Sequence, residues 1–393
     1  MRVIRRLTAP GLVVTALVVV CVVPAFAQTG APAEVATATR DIPFTTHDGH
    51  AMVGRLTLPQ TGGPHPVLLL VQTAEASRMD PRTRTGKGEM VFAFDLYRRH
   101  LAPIGVGFFS YEGRGMRTDP SQPRGEAIDW AVYNTSTLDN KVRDIISAVR
   151  VLQQQPGVDK SKILLRGVSE GTQLAADAAS RIPKEIGGLV LSGVVSSTLK
   201  DMLTFMALEG TFMQHREHWD DDRDGRITPA EFETDSKGVR RKSMPGVAFS
   251  VLDPDKDGAY TVADRSLLAK DLVAGIQAGN MTIVNGFLKL AAAVTIPQGW
   301  AEDHFAYPPM WQFLSKLDMP VGFFHGDADA NTPIAGVKSL EQQAKAAGKT
   351  NFEFQYFTGL GHGLGTNVYF ETGTPSTGYA AIFDFVRRVV ARR

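Results

Sequence analysis

The chain has 393 residues, 43% of them hydrophobic and 21% charged, and carries a formal net charge of +1. That balance excludes an intrinsically disordered chain and offers no basic excess of the kind a nucleic-acid-binding surface needs. The single cysteine, Cys21, excludes a disulfide framework and a cysteine-based metal site, while the length is ample for a buried core.

The first residues follow the three-part pattern of a secretory signal. Arg2, Arg5 and Arg6 precede an apolar run over residues 11–23, and Ala25-Phe26-Ala27 supplies an A-x-A cleavage site. The run is shorter than the ~20 apolar residues that span a bilayer, so a cleaved signal over residues 1–27 is expected, with the mature chain starting near Gln28. The mature protein would be secreted or periplasmic, with no stable membrane anchor and no thiol. Loss of the three arginines, with no acid among residues 1–27, would take its net charge from +1 to −2. The Arg5-Arg6 pair leaves twin-arginine export open as a route.

Residues 28–39, rich in Ala and Thr and without periodicity, read as a flexible leader. Residues 41–46 and 52–58, around Asp48-Gly49, predict an antiparallel hairpin. Short apolar runs follow at 66–71, 106–111, 163–168, 189–195, 320–325 and 352–357. Amphipathic stretches separate them, such as 138–154, where Val142, Ile145, Ile146, Val149 and Leu152 recur at helical spacing. Strands alternating with helices imply a mostly parallel sheet covered on both faces. The rhythm breaks over residues 198–317, an interval too long for one crossover, which reads as a helical cap inserted between two strands.

Gly167-Val168-Ser169-Glu170-Gly171 follows an apolar strand directly and opens a helix of small residues, the context a nucleophile elbow requires. A serine hydroxyl becomes a nucleophile only when a base takes its proton, and that base needs a carboxylate to fix its tautomer. Downstream, one strand ends in His325-Gly326-Asp327-Ala328-Asp329 and the next in Gly361-His362-Gly363.

With these motifs in the order Ser, Asp, His, the chain resembles the α/β-hydrolase-fold serine hydrolases, a group that holds carboxylesterases, dienelactone-hydrolase-like enzymes and serine peptidases. The resemblance covers residues 40–197 and 318–393. It implies an α/β fold with Ser169 as nucleophile, His362 as base and Asp329 as acid, since the acid-bearing strand of such enzymes often ends H-G-x-x-D; Asp327 is the rejected neighbour. His325 then belongs to the motif and not to the chemistry. His215, His218 and His304, all in the insertion, read as surface or packing residues. The oxyanion hole is expected from two backbone N–H groups, one of Glu170 and one of Thr73 or Ala74. There the loop reads Gln72-Thr73-Ala74-Glu75 in place of the family's His-Gly and further glycines. Residues 111–118 resemble the family's Tyr-Asp-x-Arg-Gly turn, which shapes the fold near the site.

The insertion carries a second chemistry. Asp220, Asp222 and Asp224 stand at positions 1, 3 and 5 of a twelve-residue loop, with Gly225 at 6, the Arg226 carbonyl at 7, Ile227 at 8 and Glu231 at 12. Asp253, Asp255, Asp257, Gly258, Ala259, Tyr260 and Asp264 repeat the pattern, closing on a shorter acid. Alternating carboxylates before a glycine suit calcium, which takes 6–8 oxygens, better than the tighter octahedron of magnesium. The two segments, 220–231 and 253–264, resemble an EF-hand pair or the calcium loops of dockerins. Dockerins sit at chain ends and this pair is interior, so cohesin docking is not expected. Two structural Ca2+ ions are the expected cofactors.

The expectation is thus a secreted serine hydrolase that cleaves small-molecule carboxylic esters through an acyl-enzyme on Ser169, beneath a calcium-stabilised cap. A serine peptidase of the same fold and a non-catalytic calcium-binding adaptor on a hydrolase scaffold are the alternatives. No nucleic-acid partner is expected, and the natural substrate and oligomeric state stay open.

Overall fold

The structure is a computed structural model, and it describes residues 35–73, 78–85, 87–118, 126–291 and 296–392. The expected signal and most of the expected leader lie outside the described residues. Strand β1, Thr37–Thr45, pairs antiparallel with β2, Ala51–Pro59, and Gly49 at φ +83° turns the hairpin. Residues 37–39 are therefore strand and not leader. Their place comes from pairing, with Thr39 opposite Thr57 and the two hydroxyls 2.9 Å apart, and pairing of polar residues leaves no apolar alternation to read.

The remaining main strands are β3 (His65–Leu70), β4 (Gly107–Tyr111), β5 (Val158–Val168), β6 (Gly188–Ser192), β7 (Val321–Gly326) and β8 (Phe352–Phe357). The eight form one sheet in the order β1-β2-β4-β3-β5-β6-β7-β8. β2 runs antiparallel to both neighbours, and every pair from β4 onward is parallel. Parallel strands must be covered on both faces, which explains why β4 and β6 are wholly buried and mainly apolar, whereas the edge strand β8 is half-buried and carries Glu353 and Gln355. One face packs on the helices Leu138–Gln153 and Glu170–Arg181, and the other on Asp95–Leu101 and Thr377–Ala391. β6 stops at Ser192, three residues short of its predicted end. Gly193, at φ +54°, turns the chain there in a conformation that favours glycine.

Between β6 and β7 the chain leaves the sheet for a run of helices with two apolar clusters of its own. One gathers Leu199, Leu203, Ile276, Val284, Leu288 and Trp300; the other gathers Phe212, Trp219, Ile227, Phe232, Leu252 and Tyr260. The helices Leu199–Phe205 and Thr211–Trp219 join through a π-helical turn, Met206–Gly210. A Cβ on Gly210 would lie 2.1 Å from the Ala330 carbonyl oxygen, so glycine is what lets this turn touch the loop after β7. Arg265 Nε donates to the Ala207 carbonyl of the same turn at 2.7 Å. Among the described residues no helix is long and apolar enough to cross a membrane.

Candidate active site

Ser169 sits between the end of β5 and the first residue of the helix Glu170–Arg181, at φ +53° and ψ −129°. A non-glycine residue in that region stores strain of order 1–3 kcal/mol, which its surroundings must hold. Ser169 N donates to the Ser192 carbonyl at 3.1 Å, and Thr172 N and Oγ1 both donate to the Ser169 carbonyl, at 2.9 and 2.7 Å. Gly167 makes the turn tight enough: a Cβ there would stand 2.5 Å from the Gly171 carbonyl oxygen.

His362 follows β8, and its Nδ1 lies 3.0 and 2.9 Å from Oδ1 and Oδ2 of Asp329. Asp329 is buried, and it also accepts from Asn331 N, Thr332 N and Thr332 Oγ1, at 2.9, 2.9 and 2.6 Å. Burial pushes its carboxyl upward, but the bonds from His362 and Thr332 outweigh that and hold it below the usual carboxylate range. An ionised Asp329 keeps the proton of His362 on Nδ1, which leaves Nε2 as the accepting nitrogen. Gly193 lets the ring pack on bare backbone, since a Cβ there would meet His362 Cε1 at 2.8 Å.

The two neighbouring candidates are placed elsewhere. Asp327 is exposed and accepts the Gly359 N–H at 2.7 Å, which braces the turn leading to His362. His325 is fully buried; Val194 N donates to its Nδ1 at 3.2 Å, so Nε2 carries the proton and donates to the Thr332 carbonyl at 3.1 Å. Burial lowers its pKa and keeps it neutral.

Ser169 and His362 line one cavity of 360 Å³ together with Thr73 and Glu170. Its remaining wall is largely apolar and includes Val195, Leu199, Met202, Met206, Leu288 and Ile296. Among the described residues no hydrogen bond joins Ser169 to His362. Catalytic bonds of this kind commonly tighten only around substrate. Thr73 thus faces the cavity as expected, whereas Ala74 lies outside the described residues. Gln72 turns away, its side-chain amide donating to the Tyr111 carbonyl. Arg114, in the turn after β4, is buried between Asp48 and Asp144, bonded to them at 2.6 to 3.0 Å.

The side chain of Glu170 is the feature that sequence reasoning missed. Its Oε2 accepts from Lys141 Nζ at 2.9 Å, and its Oε1 lies 2.6 Å from both Trp300 Nε1 and His304 Nε2. Burial would raise this carboxyl, but the charge of Lys141 and the bond with His304 bring it down to about 2. His304 is therefore not a surface residue but part of the cavity wall. The one available signal was a lysine at position 141, on the apolar face that Leu138, Val142 and Ile145 define. Nothing in the sequence links it to residues 300 and 304, beyond position 170 by 130 and 134 places.

In the insertion, Asp220, Asp222 and Glu231 each bring a carboxylate oxygen to within 4.8 Å of the others, and so do Asp253, Asp255 and Asp264. The loops pair at position 8, where Ile227 and Tyr260 exchange backbone hydrogen bonds of 3.1 and 2.8 Å. Gly225 and Gly258, at φ +91° and +88°, make the sharp turns. Asp224 and Asp257 are not gathered with the rest. Asp224 takes the Arg226 N–H at 2.7 Å, and Asp257 takes the Ala259 N–H and the Arg226 guanidinium, each at 3.0 Å. Asp220 (7% exposed) and Asp264 (0%) each hold a buried oxygen, Oδ1, without any hydrogen-bond donor. A buried carboxylate oxygen lacking a donor is costly, and an all-oxygen cluster around it fits a hard cation. His215 packs on Trp219, and its Nδ1 lies 3.1 Å from the Tyr260 hydroxyl.

No protein-family model matches the sequence, and no curated protein sequence matches it. Among solved structures, a bacterial heroin esterase is similar over 91% of this chain and 85% of its own, at 14% identity and a TM-score of 0.51. A Pyrococcus furiosus esterase is similar over 89% and 91%, at 12% identity and a TM-score of 0.46. A 2,6-dihydroxy-pseudo-oxynicotine hydrolase is similar over 90% and 68%, at 14% and 0.48. The likeness to the heroin esterase, at 14% identity and a TM-score of 0.51, speaks for the fold alone, and the strand order speaks for the same one: the chain has the α/β-hydrolase fold.

Proposed function

We propose that the protein is a serine hydrolase that cleaves small-molecule carboxylic esters through an acyl-enzyme on Ser169. The observation that carries this reading is the strained Ser169 sharing a cavity with His362, whose Nδ1 is held by a buried, ionised Asp329. Ser169 Oγ would bond to the ester carbonyl carbon while His362 Nε2 takes its proton. Collapse of the tetrahedral species breaks the C–O bond to the alcohol, which leaves with the proton from His362. Water then repeats the sequence on the acyl-enzyme and releases the acid. The Glu170 N–H, at the start of its helix, and the Thr73 loop are the oxyanion donors of this reading. The apolar wall of Leu199, Met202, Met206, Leu288 and Ile296 favours an ester with an apolar acyl group over a peptide, whose backbone would need polar partners along that wall.

In the same reading Asp220, Asp222, Glu231, Asp253, Asp255 and Asp264, with the carbonyls of Arg226 and Ala259, would hold two Ca2+ ions, and the protein is exported after cleavage near Gln28. Calcium would neutralise the crowded carboxylates and stiffen the cap. A fluorophosphonate probe together with p-nitrophenyl esters tests the catalytic part. Labelling of Ser169 and turnover are expected; a protein that neither labels nor turns over would be the calcium-binding adaptor instead.

A further inference from the structure

A single buried carboxylate ties the start of the elbow helix to the helix Leu138–Gln153 and to the insertion. Lys141 Nζ reaches Glu170 Oε2 at 2.9 Å and the Thr73 carbonyl at 3.1 Å. Lys141 and Glu170 are 9% and 5% exposed at their side chains, too buried for water to loosen the pair. From the other side, Trp300 Nε1 and His304 Nε2, both on the last long turn of the insertion, converge on Glu170 Oε1 at 2.6 Å, and their rings lie 4.2 Å apart. Glu170 and Thr73 both line the cavity in which the oxyanion would form.

We infer that Lys141 and Glu170 are positioning residues of the oxyanion hole, and that the cap completes the device through Trp300 and His304. This rests on the serine-hydrolase reading above. The bond to the Thr73 carbonyl tethers the loop after β3 to Lys141. Holding both carboxylate oxygens of Glu170 likewise restrains the first residue of the helix, which lines the cavity. Lys141 spans the two, so it sets the spacing between the elbow and the loop after β3. Donors aimed in advance at the developing charge are what make an oxyanion hole effective. Neither Lys141 nor His304 touches the reacting atoms in this account. Both act through the two backbones.

The test compares two ligands of one acyl shape. A trifluoromethyl ketone adds Ser169 Oγ at its carbonyl carbon, sends the serine proton to His362 and places an oxyanion in the hole. The matching carboxamide binds without addition and reads ground-state fit alone. The variant Lys141→Met/Glu170→Gln removes both charges together, so no lone ion is left buried. Ester kcat/KM and trifluoromethyl ketone affinity are expected to fall together by about 10²-fold, the scale of losing one oxyanion donor, while carboxamide affinity stays within about threefold. His304→Leu, which withdraws one donor from Glu170 Oε1, should shift the same ratio in the same direction and decides the matter if the double variant does not fold. Equal loss of ketone and carboxamide binding, or a folded variant with ketone affinity within about threefold of the parent, overturns the inference. A parent protein that binds no ketone and hydrolyses no ester would overturn the underlying reading instead.

Discussion

Asp329, in the loop after β7, and Asp264, in the first turn of the helix Val262–Leu268, are both buried carboxylates, and they differ in one respect that bears on what each can do. Asp329 has donors at both oxygens, from His362, Asn331 and Thr332. Asp264 has Thr261 N and Oγ1 on Oδ2, at 2.9 and 2.8 Å, and nothing on Oδ1. The first is complete within the protein and can spend its charge on orienting an imidazole. The second is incomplete, and a hard cation is one partner that would complete it. The donor count thus separates a carboxylate satisfied within the protein from one that is not.

The sharpest way to break the catalytic half of that contrast is Ser169→Ala. It should abolish fluorophosphonate labelling and lower kcat by about 10⁶-fold, because nucleophile and base act as a unit; residual labelling in intact-mass spectra would refute the elbow. Asp329→Asn should fold normally and lose about 10⁴-fold in kcat, since an amide leaves His362 in the wrong tautomer. Asp327→Asn, which touches only the Gly359 N–H, serves as its control, and steady-state kinetics on the two variants would reveal a misplaced acid if their order were reversed.

The metal half is tested by melting. A ligand that binds only the folded form adds about 2.7 kcal/mol per site at 100-fold over its Kd, so EDTA should lower Tm by several degrees and calcium should restore it. Asp220→Ala and Asp264→Ala should each remove a large part of that response; equal midpoints with EDTA, calcium and magnesium would leave the clusters as plain acidic loops. The smallest effect concerns Glu170. Its pKa is depressed from 4.5 to about 2, so the stability it contributes is complete above 4.5 and is lost as pH falls toward 2. The Tm gap between the parent and Glu170→Gln should accordingly be wider at about pH 6 than at about pH 3. A gap that does not change with pH would show that the carboxylate adds nothing as an ion.

Much of the architecture was legible because parallel strands buried on both faces leave apolar runs, as β3, β4 and β6 did; the edge strand β8, half-buried with Glu353 and Gln355 in it, left a more mixed one. The elbow was legible for a different reason: Gly167 marks a place where backbone must approach backbone, and strand and helix flank the motif. The acid could be chosen from the resemblance, and the Thr332 and Asn331 donors then show why position 329 suits the role physically. The long-range contacts were not legible. Glu170 reads as a filler between the serine and the second glycine, and His304 reads as one of three histidines in an irregular insertion. Their meeting depends on how the insertion folds back, which no local pattern records. The paired loops lie between these extremes: their spacing is explicit, yet which carboxylates gather, Asp224 and Asp257 not among them, only coordinates display.

The two apolar clusters of the insertion share no residue: one packs beneath the paired loops, the other around Trp300. Separate clusters can open separately, each with its own free energy of local unfolding. A protease given to calcium-depleted protein should therefore nick the chain within residues 220–264 first. The segment bearing Trp300 and His304 would stay seated on Glu170, and the cut protein would migrate as one particle until denatured.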